Sequence, residues 1–337
     1  MILIRADANG QIGSGHVMRC LSIAHALEEK GEKTVFISAD HKADFLIQDY
    51  GFECVCLESN YAEMDEEDIE AILENYHPDL VLVDSYYVTG EYFRRLRSVT
   101  RVAYLDDLNR NCWDIDFLIN YNVYAEVYDY SPYAGTRTEL LLGPRYAPLR
   151  SEFFGAAPHV IREKVEDVLV SAGGSDPEGV SKRIMMEMCP KWPDTRFHIL
   201  VGALNPWLEE LRRFAGENVV FHFNEKDMAG LMKKCDVAIS ASGSTLYELC
   251  AMGVPTIIFT LADNQLPAAE QFERRNVMLS TGDCRGNAKL IPSLEEKLEL
   301  LAMNAKIRKQ FSERMQLLVD GLGAKRIVEK LLEKGSA

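Results

Sequence analysis

The sequence predicts an α/β chain of two doubly wound parallel-sheet domains. Three observations predict it. Short apolar runs alternate with helix-compatible stretches from end to end, the pattern of β–α units joined by right-handed crossovers. Runs such as LVLV at Leu80–Val83 are apolar without alternation, which suits parallel strands covered on both faces. The series starts afresh in the second half of the 337 residues, a length above the soft prior of about 150 per domain.

Ile2–Ala6 opens as a strand. Val17, Cys20, Leu21, Ala24 and Leu27 share one face at helical spacing, so Val17–Leu27 reads as a helix. Strands are expected at Thr34–Ile37, Leu80–Val83, Val102–Leu105 and Phe117–Ile119. The second series has strands at Val168–Val170, Phe197–Val201, Val219–Phe223, Val237–Ser240 and Thr256–Phe259. A helix is expected from Gly179 to Cys189, and the Glu-, Lys- and Leu-rich tail Leu294–Leu332 reads as helix. GAAPHVI at Gly155–Ile161 is the expected seam, giving domains 1–155 and 156–337.

Composition narrows the class. The chain is 47% hydrophobic and 26% charged, enough to build cores. Its 37 Lys and Arg against 52 Asp and Glu leave a net charge of −15, so nucleic acid is not an expected partner. No run of about 18 apolar residues predicts membrane insertion. MILIRADANGQIGSGH lacks a basic segment followed by a long apolar one, so no secretory leader is expected. Eight cysteines without a CxxC pair and seven dispersed histidines without HExxH predict reduced thiols in a cytoplasmic protein. Neither metal nor cofactor is expected.

Open parallel sheets bind ligands beyond the carboxyl ends of their strands, so the loops there carry the function. The first, DANGQIGSGH, holds Gly10, Gly13 and Gly15, which let a ligand approach the backbone at a helix start. Met18 stands where a dinucleotide fingerprint needs its third glycine, and no Gly-Lys-Ser/Thr follows. His16 lies at the loop–helix junction, near the positive end of the helix dipole, which favours a neutral ring. It is either a proton acceptor or a surface or capping histidine.

Ser171–Asp176 (SAGGSD) is a second glycine loop entering a helix, either for a ligand or for the turn alone. Ser240–Glu248 (SASGSTLYE) is the most telling segment. Ser242 or Ser244 can cap the helix, and free amides there suit a pyrophosphate. Glu248 lies one turn beyond Ser244 and Thr245; its carboxylate either accepts two ribose hydroxyls or closes a capping box with Thr245. Asp84 orients His16, binds a sugar hydroxyl, or only ends its strand. Asp106 and Asp107 form a site wall or a solvated turn rather than a metal site. Tyr104, Tyr121 and Tyr124 are wall or core, and Arg94, Arg95 and Arg97 read as a solvated helix face.

These residues carry a resemblance. RADANGQIGSGHVMR at Arg5–Arg19, NYNVYA at Asn120–Ala125, APLRSEF at Ala147–Phe153, AGGSD at Ala172–Asp176, ISASGSTLYE at Ile239–Glu248 and Asn264-Gln265 resemble the UDP-sugar hydrolases of pseudaminic acid synthesis. That family includes spore-coat polysaccharide synthesis proteins and is similar to MurG-type GT-B glycosyltransferases. The resemblance implies a GT-B-like fold, two Rossmann-like domains facing a cleft. It implies inverting, metal-independent removal of UDP from a UDP-linked 2,4-diacetamido-2,4,6-trideoxy sugar. His16 matches the family's base. Gly173, Gly174, Ser242, Gly243, Ser244, Thr245 and Glu248 are implied UDP contacts, and Arg150, Asn264 and Gln265 lie near diphosphate or sugar. Gly13, Ser14, Gly15, Asp84, Tyr86 and Asn122 complete the expected substrate side in the first half. Ser85 departs from the family, which has histidine after this aspartate. The alternatives are a GT-B glycosyltransferase acting on an unknown acceptor and a non-catalytic nucleotide-sugar sensor.

Overall fold

The computed structural model describes residues 1–9, 13–64, 73–202, 205–214, 216–223 and 225–333. Gly10 of the first loop lies outside the described residues. The chain forms two compact units, Met1–Ser151 with Gly321–Ala337, and Glu152–Asp320.

Unit 1 holds β1 (Ile2–Ala6), β2 (Thr34–Ser38), β3 (Glu53–Cys56), β4 (Leu80–Asp84), β5 (Arg101–Leu105), β6 (Phe117–Asn120) and β7 (Glu139–Leu142). They make one parallel sheet in the order β3-β2-β1-β4-β5-β6-β7. Strands β1, β2 and β4 are buried throughout, so they read as mainly apolar runs, and the charge inside β1, Arg5, is paired with Asp7. Among its helices are α1 (Gly15–Glu28), α2 (Asp44–Asp49) and α3 (Gly90–Val99). Helix α1 buries Val17, Cys20, Leu21, Ala24 and Leu27, the face its spacing predicts. Helix α3 starts where the Thr89 hydroxyl accepts the Tyr92 N–H at 3.0 Å.

Unit 2 holds β8 (Asp167–Ser171), β9 (Arg196–Val201), β10 (Val219–Phe223), β11 (Val237–Ala241), β12 (Thr256–Thr260) and β13 (Met278–Asp283). These are parallel in the order β10-β9-β8-β11-β12-β13. Its helices are α4 (Val180–Arg183), α5 (Leu208–Phe214), α6 (Met228–Lys234), α7 (Thr245–Met252), α8 (Leu266–Arg274), α9 (Leu290–Met303) and α10 (Ala305–Leu318). In each sheet the chain runs from a central strand to one edge, then returns to the other side. The order therefore reverses between β1 and β4 and between β8 and β11, the points where such sheets open ligand crevices.

Three strands escape the sequence reading, and all are edges. β3, β7 and β13 are partly exposed; β3 and β13 mix polar with apolar residues, and the run in β7 is only the three leucines Leu140–Leu142. The helix expected over Gly179–Cys189 is α4, a π-helical turn at Ile184–Met188 and a 3₁₀ turn ending at Lys191. Pro190 cannot donate to an α-helical ladder there.

The tail breaks at Asn304 and again before Gly323, where α11 (Gly323–Leu332) begins. This corrects the expected 156–337 domain. Helix α11 buries Ala324, Ile327, Val328 and Leu331 and packs on α1 of unit 1. At Gly323 a Cβ would meet the Ala147 carbonyl oxygen at 2.2 Å, so only glycine lets the helix start so close. The apolar stripe of α11, not chain order, decides its unit. Ile327→Ala should therefore cost about 2–5 kcal/mol. Hydrogen exchange should show the loss in α1 and β1–β7 before β8–β13; equal loss in both sheets would contradict the assignment.

Candidate active site

The first loop delivers His16 to the second position of α1, and β4 ends in Asp84 beside it across the switch between β1 and β4. His16 Nδ1 lies 2.5 Å from Asp84 Oδ1, and both residues are buried. An ionised carboxylate only accepts, so Nδ1 carries the proton of this bond. Among the described residues Nε2 has no hydrogen-bond partner. Asp84 thus orients His16, one of the three expectations for it.

Arg19 lies one turn further along α1, on the face of His16. Its Nε donates to Asp84 Oδ2 and its Nη2 to Oδ1, each at 2.6 Å. Its Nη1 donates to both oxygens of Asp107 at 3.0 and 2.9 Å and to the Tyr121 hydroxyl at 3.1 Å. Asp107 also accepts from the Tyr86 hydroxyl at 2.9 Å and from Asn122 Nδ2 at 2.8 Å. The Tyr86 ring meets His16 edge-on, centroids 4.7 Å apart. Burial raises the Asp84 carboxyl, but Arg19 and His16 outweigh it and hold it well below the carboxylate range. Burial opposes the Arg19 charge, yet Asp107 and Asp84 hold the guanidinium charged. Burial and the Asp107 charge push the Tyr86 phenol up, so it stays a donor.

Asp106 and Asp107 are buried, so the solvated-turn reading fails. Asp106 turns one oxygen to the Leu108 and Asn109 amides at 2.8 and 3.0 Å. Among the described residues its other oxygen accepts no hydrogen bond, and burial raises its carboxyl. Tyr104 is core, edge-on to Phe93 and Trp113, with its hydroxyl on the Ser85 carbonyl. Gly13, at φ +72°, and Ser14 before α1 and Gly15 at its first position are exposed, and Ser14 caps without a side-chain bond. Arg150 is half-buried near the end of unit 1's first segment.

In unit 2 the glycine loops flank the switch between β8 and β11. Gly173, at φ +77°, and Gly174 are exposed. Gly202 lies so close that a Cβ there would meet the Gly174 carbonyl oxygen at 2.1 Å. Buried Asp176 accepts the Val180 and Ser181 amides at 2.8 and 2.9 Å, so it holds the loop to α4. Gly243 stands in open space, with Ser244 exposed and Thr245 half-buried at the start of α7. Of the two expected caps Ser244 takes the position, without the expected side-chain bond. Thr245 already lies inside the helix, so it closes no capping box with Glu248. The buried Ser242 hydroxyl instead donates to the Phe259 carbonyl at 2.9 Å, pinning β11 to β12. Glu248 is half-buried one turn into α7. Asn264 is exposed, while Gln265 turns its carbonyl onto the Leu261 amide at 2.8 Å.

Sequence reasoning missed Arg19. Its signal was its place three residues after His16, on one helical face. It underrated Asp107 because neighbouring acidic residues at a strand end look solvated.

The structure superposes on Acinetobacter baumannii MurG with TM-score 0.71, covering 99% of each chain at 13% identity. The fold is GT-B. Residues 168–327 match the glycosyltransferase family 28 C-terminal domain. The chain is 26% identical to the spore coat polysaccharide biosynthesis protein SpsG of Bacillus subtilis over 96% of this chain and 95% of that one. It is 26% identical to the UDP-2,4-diacetamido-2,4,6-trideoxy-beta-L-altropyranose hydrolase of Campylobacter jejuni, over 73% of this chain and 86% of that one. It is 25% identical to the uncharacterized protein MJ1062 of Methanocaldococcus jannaschii over 79% of this chain, a match spanning only 56% of that protein. Among the described residues no helix is long and apolar enough to cross a membrane.

The Asp84 carboxyl sits lower in the folded than in the unfolded chain. Its contribution is complete above the unfolded value of about 3.9 and fades as pH falls through the folded value. Asp84→Asn should cost about 3–5 kcal/mol at neutral pH. The gap in urea midpoint between wild type and variant should shrink as pH is lowered from about 5 to about 2. A gap constant over that range would rule out the ion pairs as its source.

Proposed function

We propose that the protein is an inverting, metal-independent hydrolase of a UDP-linked 2,4-diacetamido-2,4,6-trideoxy sugar, serving nonulosonic acid or related surface-polysaccharide synthesis. The observation that carries it is the His16–Asp84 pair, with Nδ1 fixed on the carboxylate and, among the described residues, no hydrogen bond to Nε2. The similarity to the Campylobacter jejuni hydrolase supports the same reading. In this reading His16 Nε2 takes a proton from water. The water oxygen attacks the anomeric carbon from the face opposite UDP. The carbon–oxygen bond to the diphosphate breaks, and its electron pair leaves with UDP. A diphosphate is a good leaving group, so the second carboxyl acid that glycosidases need is dispensable. Amides at the start of α7, together with Gly173 and Gly174, would receive the diphosphate, aided by Arg150. Glu248 would take the ribose hydroxyls, and Asn264 and Gln265 would line the same loop. Tyr86, Asn122 and the Gly13–Gly15 loop would meet the sugar.

A GT-B glycosyltransferase is the second reading, favoured by the fold itself. Against a membrane-borne acceptor, part of the basic cluster on α3 is already neutralised: Arg94 pairs with Glu91, and buried Arg97 with Asp114 and Asp116.

His16→Ala should lower turnover by about 10²–10⁴-fold while UDP affinity holds. Incubation of the UDP-linked diacetamido sugar in ¹⁸O-water with chelator should give inverted free sugar labelled at the anomeric oxygen. Tight binding without UDP release would favour the transferase or a sensor. Glu248→Ala should weaken UDP binding about tenfold or more, as loss of bonds to a charged group does, with the melting temperature unchanged; unaltered affinity by calorimetry would remove the ribose role.

A further inference from the structure

We propose that Arg19 is the positioning residue of the His16–Asp84 pair: its guanidinium locks the Asp84 carboxylate in the one rotation that presents Oδ1 to His16 Nδ1. This rests on reading His16 as the base. The final torsion of an aspartate is broad, so β4 alone cannot fix the direction of the two oxygens. The Arg19 fork fixes it, with Nε on Oδ2 and Nη2 on Oδ1 at 2.6 Å each, a planar two-point bond that lysine cannot copy. The fork is itself held, since Nη1 is bound by Asp107 and Tyr121. Arg19 Nη2 and His16 Nδ1 approach to 3.4 Å because two donors share one acceptor oxygen.

Arg19 reaches the imidazole by a second route. Asp107, which it neutralises, accepts the Tyr86 hydroxyl, and the Tyr86 ring stands edge-on against His16. The ring is therefore held on its Nδ1 side by Asp84 and touched by the perpendicular Tyr86 ring, and both contacts lead back to one guanidinium. The side chain of Arg19 is 9% exposed, so it acts through these partners.

The test compares the wild-type chain with Arg19→Lys, using one readout that needs no substrate. A short bond from Nδ1 to a carboxylate gives a low-field imidazole proton resonance, assigned with His16→Gln. The proposal expects that resonance to broaden or vanish in Arg19→Lys. It expects kcat for UDP release to fall about 10–100-fold, the scale of an ångström-sized misplacement, with KM and UDP affinity nearly unchanged. Methylguanidinium added to Arg19→Ala should restore part of the lost kcat. An unchanged resonance with kcat near wild type overturns the proposal, and so does loss of UDP affinity in step with kcat. Where Arg19→Lys does not fold, Arg19→Gln with Asp107→Asn removes one charge of each sign and is judged by the same outcomes. A resonance lost on substitution, in a wild type that releases no UDP, supports the positioning role and defeats the hydrolase reading.

Discussion

The buried carboxylate of Asp84 is the interaction on which unit 1's site depends. It ends a strand whose every residue is buried, so its backbone is fixed by the sheet. Its two oxygens accept from His16, from two nitrogens of Arg19 and from the Cys20 thiol. A carboxylate buried without such donors would be far costlier than one exposed to water. The first turns of α1 supply all of them, because positions 16, 19 and 20 fall on one helical face. Helix and strand are therefore joined by charge as well as by apolar packing, and His16 takes its direction from that joint.

The same device appears twice, with different contents. Each sheet reverses its strand order once, and each reversal gathers two loops at the carboxyl ends of central strands. In unit 1 they bring titratable side chains together. In unit 2 they bring glycine, serine and helix-start amides, with the Asp176 carboxylate already turned onto the Val180 and Ser181 amides.

Much of this was legible in the sequence, for physical reasons that also explain the failures. Buried parallel strands such as β4 announce themselves because both faces demand apolar residues. Edge strands such as β13 do not, since one side meets water and Ser280, Thr281 and Asp283 serve as well as valine. His16 stood out because glycines surround it. Arg19 did not, because an arginine on a helix is ordinarily solvated, and only the tertiary placement of Asp84 and Asp107 makes it buried and forked. Helix α11 looked like the end of a helical tail; its unit is settled by where its stripe of Ala324, Ile327, Val328 and Leu331 finds cover.

Charge sets the two reversals apart. Asp84 and Asp107 face one guanidinium in unit 1, so that crevice is a poor seat for a diphosphate. It suits a proton acceptor, whose developing positive charge a carboxylate partner stabilises. The unit 2 loops have the opposite character. The start of α7 directs backbone dipoles outward from a helix whose N-cap side chain makes no bond of its own, and Gly173 and Gly174 bring further backbone close without side chains in the way. The proposed chemistry needs both fields, amides for an anionic leaving group and a carboxylate partner for the base.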